Sequence, residues 1–216
     1  KSLLPDRFLV GFERNSLRQK PDENILNICR QIEMPGPFQE TFHENLPKAN
    51  VVLFGFERDQ KNVVYKAYLE LGTGFESFQK DSNGRESALL HLGFKWNVSY
   101  ESQKAVAKYR CFPMLTEKDM LERLSSKDFF KDERKGYLEI VEAILNLAIC
   151  RTHPYEFIYL EAEEDGNPRT SFDINMYRAN LRMKELYPFL LEIGRYFSIP
   201  QQEYHKIYEA SKDLMF

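Results

Sequence analysis

Val63-Val64-Tyr65-Lys66-Ala67-Tyr68-Leu69-Glu70-Leu71 is the stretch whose alternation decides the fold. Val63, Tyr65, Ala67, Leu69 and Leu71 fall on one side of an extended chain, and Val64, Lys66, Tyr68 and Glu70 fall on the other. That is the period-two pattern of a half-buried antiparallel strand. The first set requires an apolar core. The second either meets water or carries chemistry, and which of the two it does decides the function.

Working outward, Val51–Glu57 (Val-Val-Leu-Phe-Gly-Phe-Glu) is a second strand, joined to the first through the polar turn Arg58-Asp59-Gln60-Lys61-Asn62 as a hairpin. Ala88–Val98 alternates again, with Ala88, Leu90, Leu92, Phe94, Trp96 and Val98 on the apolar face and His91, Lys95 and Asn97 on the other. Lys104–Phe112 is its partner; Ala105, Ala107, Tyr109 and Cys111 are expected inward, which leaves Lys104, Lys108 and Arg110 on the polar side. Phe157–Ala162 and Thr170–Ala179 form a third hairpin around Glu164-Asp165-Gly166-Asn167. Its second arm sets Phe172, Ile174 and Met176 against Arg169, Ser171, Asp173, Asn175 and Tyr177. Gly72–Arg85, rich in Gly and Ser, is expected to be a lid-like loop.

Arg7–Arg14 reads as a first short strand. Its Gly-Phe-Glu-Arg (11–14) is echoed at 55–58, and in both places a polar turn follows. Chance and an internal repeat account for the match equally well. A helix starts at Pro21 with Asp22 and Glu23 in its first turn and Ile25, Leu26, Cys29 and Ile32 on its apolar face; Pro35-Gly36-Pro37 ends it. Further helices are expected at Phe38–Leu46, at Glu117–Leu124 after a Thr116/Asp119 capping pair, and at Tyr137–Cys150, Met183–Tyr196 and Pro200–Lys212, the last capped by Ser198. The fold class is therefore α+β: antiparallel hairpins forming a barrel or a strongly curved sheet, with helices packed on the outer face.

Across 216 residues no linker or low-complexity run divides the chain, so a single domain over 1–216 is expected. The chain begins at Lys1 without a methionine and stops at Phe216, which leaves room for trimming at either end. With 33 acidic and 30 basic residues, a dedicated binder of duplex DNA or of an anionic membrane is not indicated, and no nucleic-acid partner is expected. The 17 Phe and 12 Tyr suit a Phe-rich core with a Tyr-rich boundary, or equally a ligand cavity or an interface. Cys29, Cys111 and Cys150 have neither metal nor disulfide spacing, so a reducing, cytoplasmic setting is expected. No run is long and apolar enough to span a bilayer, and no signal peptide is expected.

No nucleophile elbow, phosphate loop or His-Glu-x-x-His motif is present. Glu163-Glu164-Asp165 reads as a solvated turn, and His91 as a structural histidine before a catalytic one. What remains is the polar faces of the hairpins, which gather Lys66, Tyr68, His91, Lys95, Lys104, Lys108, Arg110, Asp173, Asn175 and Tyr177. On an open sheet these form a solvated surface. In a closed barrel they line a lumen suited to an anion attached to an apolar body.

Lys66-Ala67-Tyr68 resembles the Lys-x-Tyr strand motif of the aromatic prenyltransferases with the ABBA, or PT-barrel, fold, relatives of dimethylallyltryptophan synthase. The resemblance implies repeated α-β-β-α units that place an antiparallel barrel inside a ring of helices. It also implies transfer of an isoprenoid from a prenyl diphosphate to an aromatic acceptor. Lys66 would then hold diphosphate, and Tyr68 would hydrogen-bond it or shield the allylic cation; Lys108 and Arg110 match by residue type and alternation. An acidic residue late in an early strand serves as base in some members, which nominates Glu57 or Glu13. His91, Lys95, Asn175 and Tyr177 complete the expected substrate-binding set. No aspartate-rich motif calls for Mg²⁺, and no cofactor is expected. Two other readings stay open: a noncatalytic barrel or sheet that binds an apolar anionic ligand, and a module whose polar sheet face meets a protein partner.

Overall fold

The computed structural model describes residues 6–58, 62–72, 79–80, 86–113, 115–126, 134–153 and 156–213. Its strands are β1 (Asp6–Glu13), β2 (Ala49–Arg58), β3 (Val63–Leu71), β4 (Gln79–Lys80), β5 (Glu86–Asn97), β6 (Tyr100–Phe112), β7 (Ile158–Glu164) and β8 (Asn167–Asn175). The helices are α1 (Pro21–Gln31), α2 (Gly36–Asn45), α3 (Glu117–Ser126), α4 (Arg134–Ile149), α5 (Met183–Tyr196) and α6 (Gln201–Ser211). Hydrogen bonding orders the strands β1-β2-β3-β5-β6-β7-β8, with β4 beside β5. The class is α+β, as the alternation implies. Among the described residues the order is open, with β1 at one end and β8 at the other. The lid-like loop expected within Gly72–Arg85 falls mostly outside the described residues, as does the tip of the β2–β3 turn.

The backbone groups into two compact units. One comprises Leu4–Cys111 and Glu161–Thr170; the other comprises Lys1–Leu3, Phe112–Leu160 and Ser171–Phe216. Each is assembled from separated segments, so no linker marks the division in the sequence.

In the first, strand-rich unit, β1, β2, β3, β5 and β6 pair antiparallel in sequence. The face predicted to be apolar is covered by α1 and α2. Ile25 and Cys29 of α1 and Phe38 and Phe42 of α2 pack with Val52, Ala67, Leu69, Leu92, Phe94 and Trp96. Phe42 and Phe38 each lie 5.6 Å from the Phe94 ring. Fully burying an aromatic of this size is worth about 1.5–3 kcal/mol, so this helix-covered layer is what fixes the sheet's inside and outside. Trp96, 1% exposed, keeps its indole N–H satisfied by donating to the Ile32 carbonyl at 3.1 Å. Pro35-Gly36-Pro37 does more than end α1. Pro37 lies in the first turn of α2, where a missing N–H costs nothing.

The second, helical unit is built on Phe112, Met120, Leu124, Leu145, Ala148, Phe157 and Tyr159. Phe172, Ile174 and Met176 pack against this core, as the alternation of the third hairpin predicts. Thr116 caps α3: the Asp119 N–H donates to Thr116 Oγ1 at 3.1 Å and the Thr116 N–H to Asp119 Oδ2 at 3.0 Å. Ser198, expected to cap α6, instead has φ 54° and lies before the helix; Pro200 takes the cap position.

Candidate functional site

The register places Lys66, Tyr68 and Glu70 of β3 on the face away from α1 and α2. Gly55 of β2 lies opposite Lys66, and Val64 lies opposite Glu57, so Glu57 shares that face. From β5, Lys95, Gly93 and His91 lie opposite Lys66, Tyr68 and Glu70. Lys66 is not on an open surface; it is only 7% exposed. Its Nζ donates to Glu57 Oε2 at 2.6 Å, and the Arg7 guanidinium of β1 stands 3.7 Å from the same oxygen. Lys95 Nζ donates to Glu164 Oε2 at 2.6 Å. That bond holds the Glu164 carboxyl below its usual range, partly opposed by burial and reinforced by the charges of Lys95 and Lys66. Two lysines, one arginine and two carboxylates thus make one charged cluster.

Beside it is an aromatic patch. Tyr68 and Tyr109 meet edge-on with ring centroids 6.0 Å apart, and His91 stands edge-on to Tyr109 at 5.9 Å. Gly93 makes this possible: a Cβ there would lie 2.8 Å from Tyr68 Cε1 and 3.2 Å from Tyr109 Cε2. Burial pushes the Tyr68 phenol well up, with Tyr109 and Glu57 adding to the shift and Arg7 opposing it. Tyr68 is therefore a neutral hydroxyl that can donate a hydrogen bond.

Three groupings read from the sequence are corrected here. On β6, Val106 lies opposite Phe94 and packs into the helix-covered core, so Lys104, Lys108 and Arg110 belong to that face and not to the face of Lys66. Ala105, Ala107 and Tyr109, expected inward, lie opposite Lys95, Gly93 and His91 on the polar face. A bulge at Leu90 also shifts the alternation of β5, so that Leu89 packs against the helix-covered core while Ala88, 2% exposed, is buried opposite Cys111. Lys108 Nζ lies 3.9 Å from Asp165, a loose pair at a surface.

Glu13 shares the polar face but lies opposite Val51, six positions along β2 from Glu57, a separation of roughly 20 Å. Glu57 is the carboxylate at Lys66. Glu164, read as part of a solvated turn, is the partner of Lys95. The turn itself forms as expected, with Gly166 at φ 76°. Asn175 and Tyr177 belong to the helical unit, where they line a pocket of about 170 Å³ with Asp173, Ile174, Met176, Leu181 and Leu186. Tyr177 is 69% exposed, and its N–H donates to Asn175 Oδ1 at 3.1 Å.

Arg7, Gly93, Tyr109 and Glu164 were not singled out as site residues from the sequence. Gly93 carried a usable signal, since an isolated glycine within an apolar strand marks a close approach. The other three depend on strand register. Among the described residues, no group of three or more His, Cys, Asp and Glu side chains gathers that could hold a metal ion. No helix there is long and apolar enough to cross a membrane.

Neither a protein-family model nor a curated protein matches the sequence. Solved structures do. A 6-dimethylallyl tryptophan synthase aligns with TM-score 0.57 at 10% identity, over 91% of this chain and 66% of its own. The 6-dimethylallyltryptophan synthase from Micromonospora olivasterospora, solved in complex with DMASPP and Trp, aligns with TM-score 0.55 at 11% identity and the same coverages. The shared property is the fold, which is ABBA-like. The chain spans just under two thirds of the length of these neighbours.

Proposed function

We propose that the polar face of the strand-rich unit is a prenyl-transfer site, moving an isoprenoid from a prenyl diphosphate to an aromatic acceptor. One observation carries this reading: a buried lysine, Lys66, stands between a carboxylate and a pair of edge-on tyrosines. The ligands of one structural neighbour, DMASPP and Trp, suggest the substrate classes.

In this reading the C–O bond of the prenyl diphosphate breaks with its electron pair passing to diphosphate. Lys66, Lys95 and Arg7 stabilise the charge that develops there. Lys66 and Lys95 each donate to a carboxylate oxygen at 2.6 Å, the kind of charge-assisted contact that a diphosphate oxygen takes. The ring faces of Tyr68 and Tyr109 shield the allylic cation. The acceptor ring then contributes a π pair to form the new carbon–carbon bond, and Glu57 takes the ring proton, which restores aromaticity.

A second reading is noncatalytic capture of an apolar anion by the same face, in which the edge-on Tyr68 and Tyr109 rings take the apolar body and no bond is broken. One assay separates the two. The whole chain is incubated with dimethylallyl diphosphate and tryptophan while diphosphate release and the prenylated product are followed. Release that needs both substrates and falls by roughly two orders of magnitude in Lys66→Met supports transfer. Binding without release supports capture, and neither binding nor release removes both readings.

A further inference from the structure

We infer that Glu164 is a built-in competitor for the anionic substrate, holding Lys95 until a diphosphate takes its place. The inference rests on the transfer reading and gives a role to the one carboxylate of the charged cluster that this reading leaves without one. Lys66 of β3 and Lys95 of β5 stand directly opposite each other. Like charges so placed repel, and each lysine is neutralised by a carboxylate that arrives from a different side. Glu57 reaches Lys66 from β2, and Glu164 reaches Lys95 from the end of β7, both at 2.6 Å. The charge of Lys66 also acts on Glu164, so this carboxylate lies in the field of both lysines. A diphosphate that bridges the two lysines has to take the place of Glu164 on Lys95.

The two carboxylates are not held alike. Glu57 lies within β2, opposite Arg7 of β1 on one side and Val64 of β3 on the other, and its lysine is 8% exposed. Glu164 is the last residue of β7 and opens the turn to β8. The backbone of that turn is tied to β6 by the Asp165 N–H, which donates to the Val106 carbonyl at 2.9 Å. The side chains of Lys95 and Glu164 are 31% and 26% exposed, so a solute reaches this pair directly. A change of side-chain rotamer moves the carboxylate off Lys95 while the turn stays in place. With Glu164 on Lys95 the cluster sets Arg7, Lys66 and Lys95 against two carboxylates; with Glu164 displaced, only Glu57 opposes them. A single carboxylate gains nothing by exchanging places with another. A diphosphate gains a second lysine, so the contact also selects for the more highly charged anion.

Inorganic diphosphate is titrated calorimetrically into the whole chain and its variants. Glu164→Gln, nearly isosteric, should bind it about tenfold more tightly than the parent, the factor that follows if Lys95 is paired in roughly nine molecules of ten. Glu164→Ala, which leaves nothing at this position to hold Lys95, should gain at least as much. In a Lys95→Met background the Glu164→Gln change should gain less than about twofold, because the lysine being competed for is gone. Unchanged or weaker binding in both Glu164 variants would overturn the proposal and make the glutamate a positioning partner of Lys95, with the transfer reading intact. An equal gain in the Lys95→Met background would overturn it as well, by reducing the effect to long-range repulsion. Diphosphate bound by neither the parent nor any variant would overturn the transfer reading together with it.

Discussion

Lys66 Nζ and Glu57 Oε2 lie 2.6 Å apart, the lysine side chain 8% exposed and the carboxylate 26%. A buried ammonium is tolerated only with such a partner, because desolvating either charge alone costs several kcal/mol. Replacing Lys66 by Met leaves Glu57, among the described residues, with the more distant Arg7 at 3.7 Å. The expected loss is about 1–3 kcal/mol, reduced from the fully buried case by the partial exposure of Glu57. Glu57→Gln combined with Lys66→Met should cost less than the two single changes summed. Urea unfolding of the four proteins measures this coupling, and additive losses would show that the pair is not coupled.

Stability should fall in acid through Glu164. Its carboxyl titrates below the ordinary 4.5 in the folded chain, first because of the hydrogen bond from Lys95. A depressed folded-state value means that the contribution is complete above the unfolded-state value and is lost as pH falls through the folded-state one. Below the ordinary carboxyl range, Lys95→Met should therefore show a shallower decline in urea midpoint than the parent chain. An identical slope in both would remove Glu164 from the acid response.

At Gly93 the tyrosine pair can be tested directly. An alanine there places its Cβ within 3.2 Å of both rings, so Tyr68 and Tyr109 must move. Gly93→Ala is expected to cost about 1–3 kcal/mol and to change the tyrosine signal in near-ultraviolet circular dichroism. An unaltered spectrum with full stability would show that the rings do not meet over this residue.

The three thiols should differ sharply in reactivity. Burial pushes Cys29 up to about 12 and Cys111 up to about 11, whereas Cys150 is exposed. Titration with a thiol-specific reagent should label Cys150 alone in the native protein and all three thiols in denaturant. Rapid native labelling of Cys29 would contradict the packing of α1 onto the sheet.

Helix and strand identity was legible because it depends on near neighbours in the chain. Val63–Leu71 is a strand with the bounds its alternation gives, and Met183–Tyr196 is the helix its apolar spacing gives. The Thr116/Asp119 cap and the turn at Gly166 follow from local chemistry in the same way. On β6 the same reasoning chose the wrong face. Lys104–Phe112 alternates small apolar residues with cations, and by itself either side can be the inner one. The choice falls to Val106 opposite Phe94 and to Ala107 opposite Gly93, both of which are cross-strand facts.

The sequence by itself therefore determined the elements and the division of β3 into an apolar side and a Lys-Tyr side, because hydrophobic period is a local property of the chain. Only the tertiary structure decided which charges meet. Lys66 finds Glu57 nine positions away, Lys95 finds Glu164 sixty-nine positions away, and Lys108 and Arg110 turn to the other side of the sheet. The reason is register: each side chain's face is set by strand pairing, and pairing is fixed by the packing of residues distant in sequence.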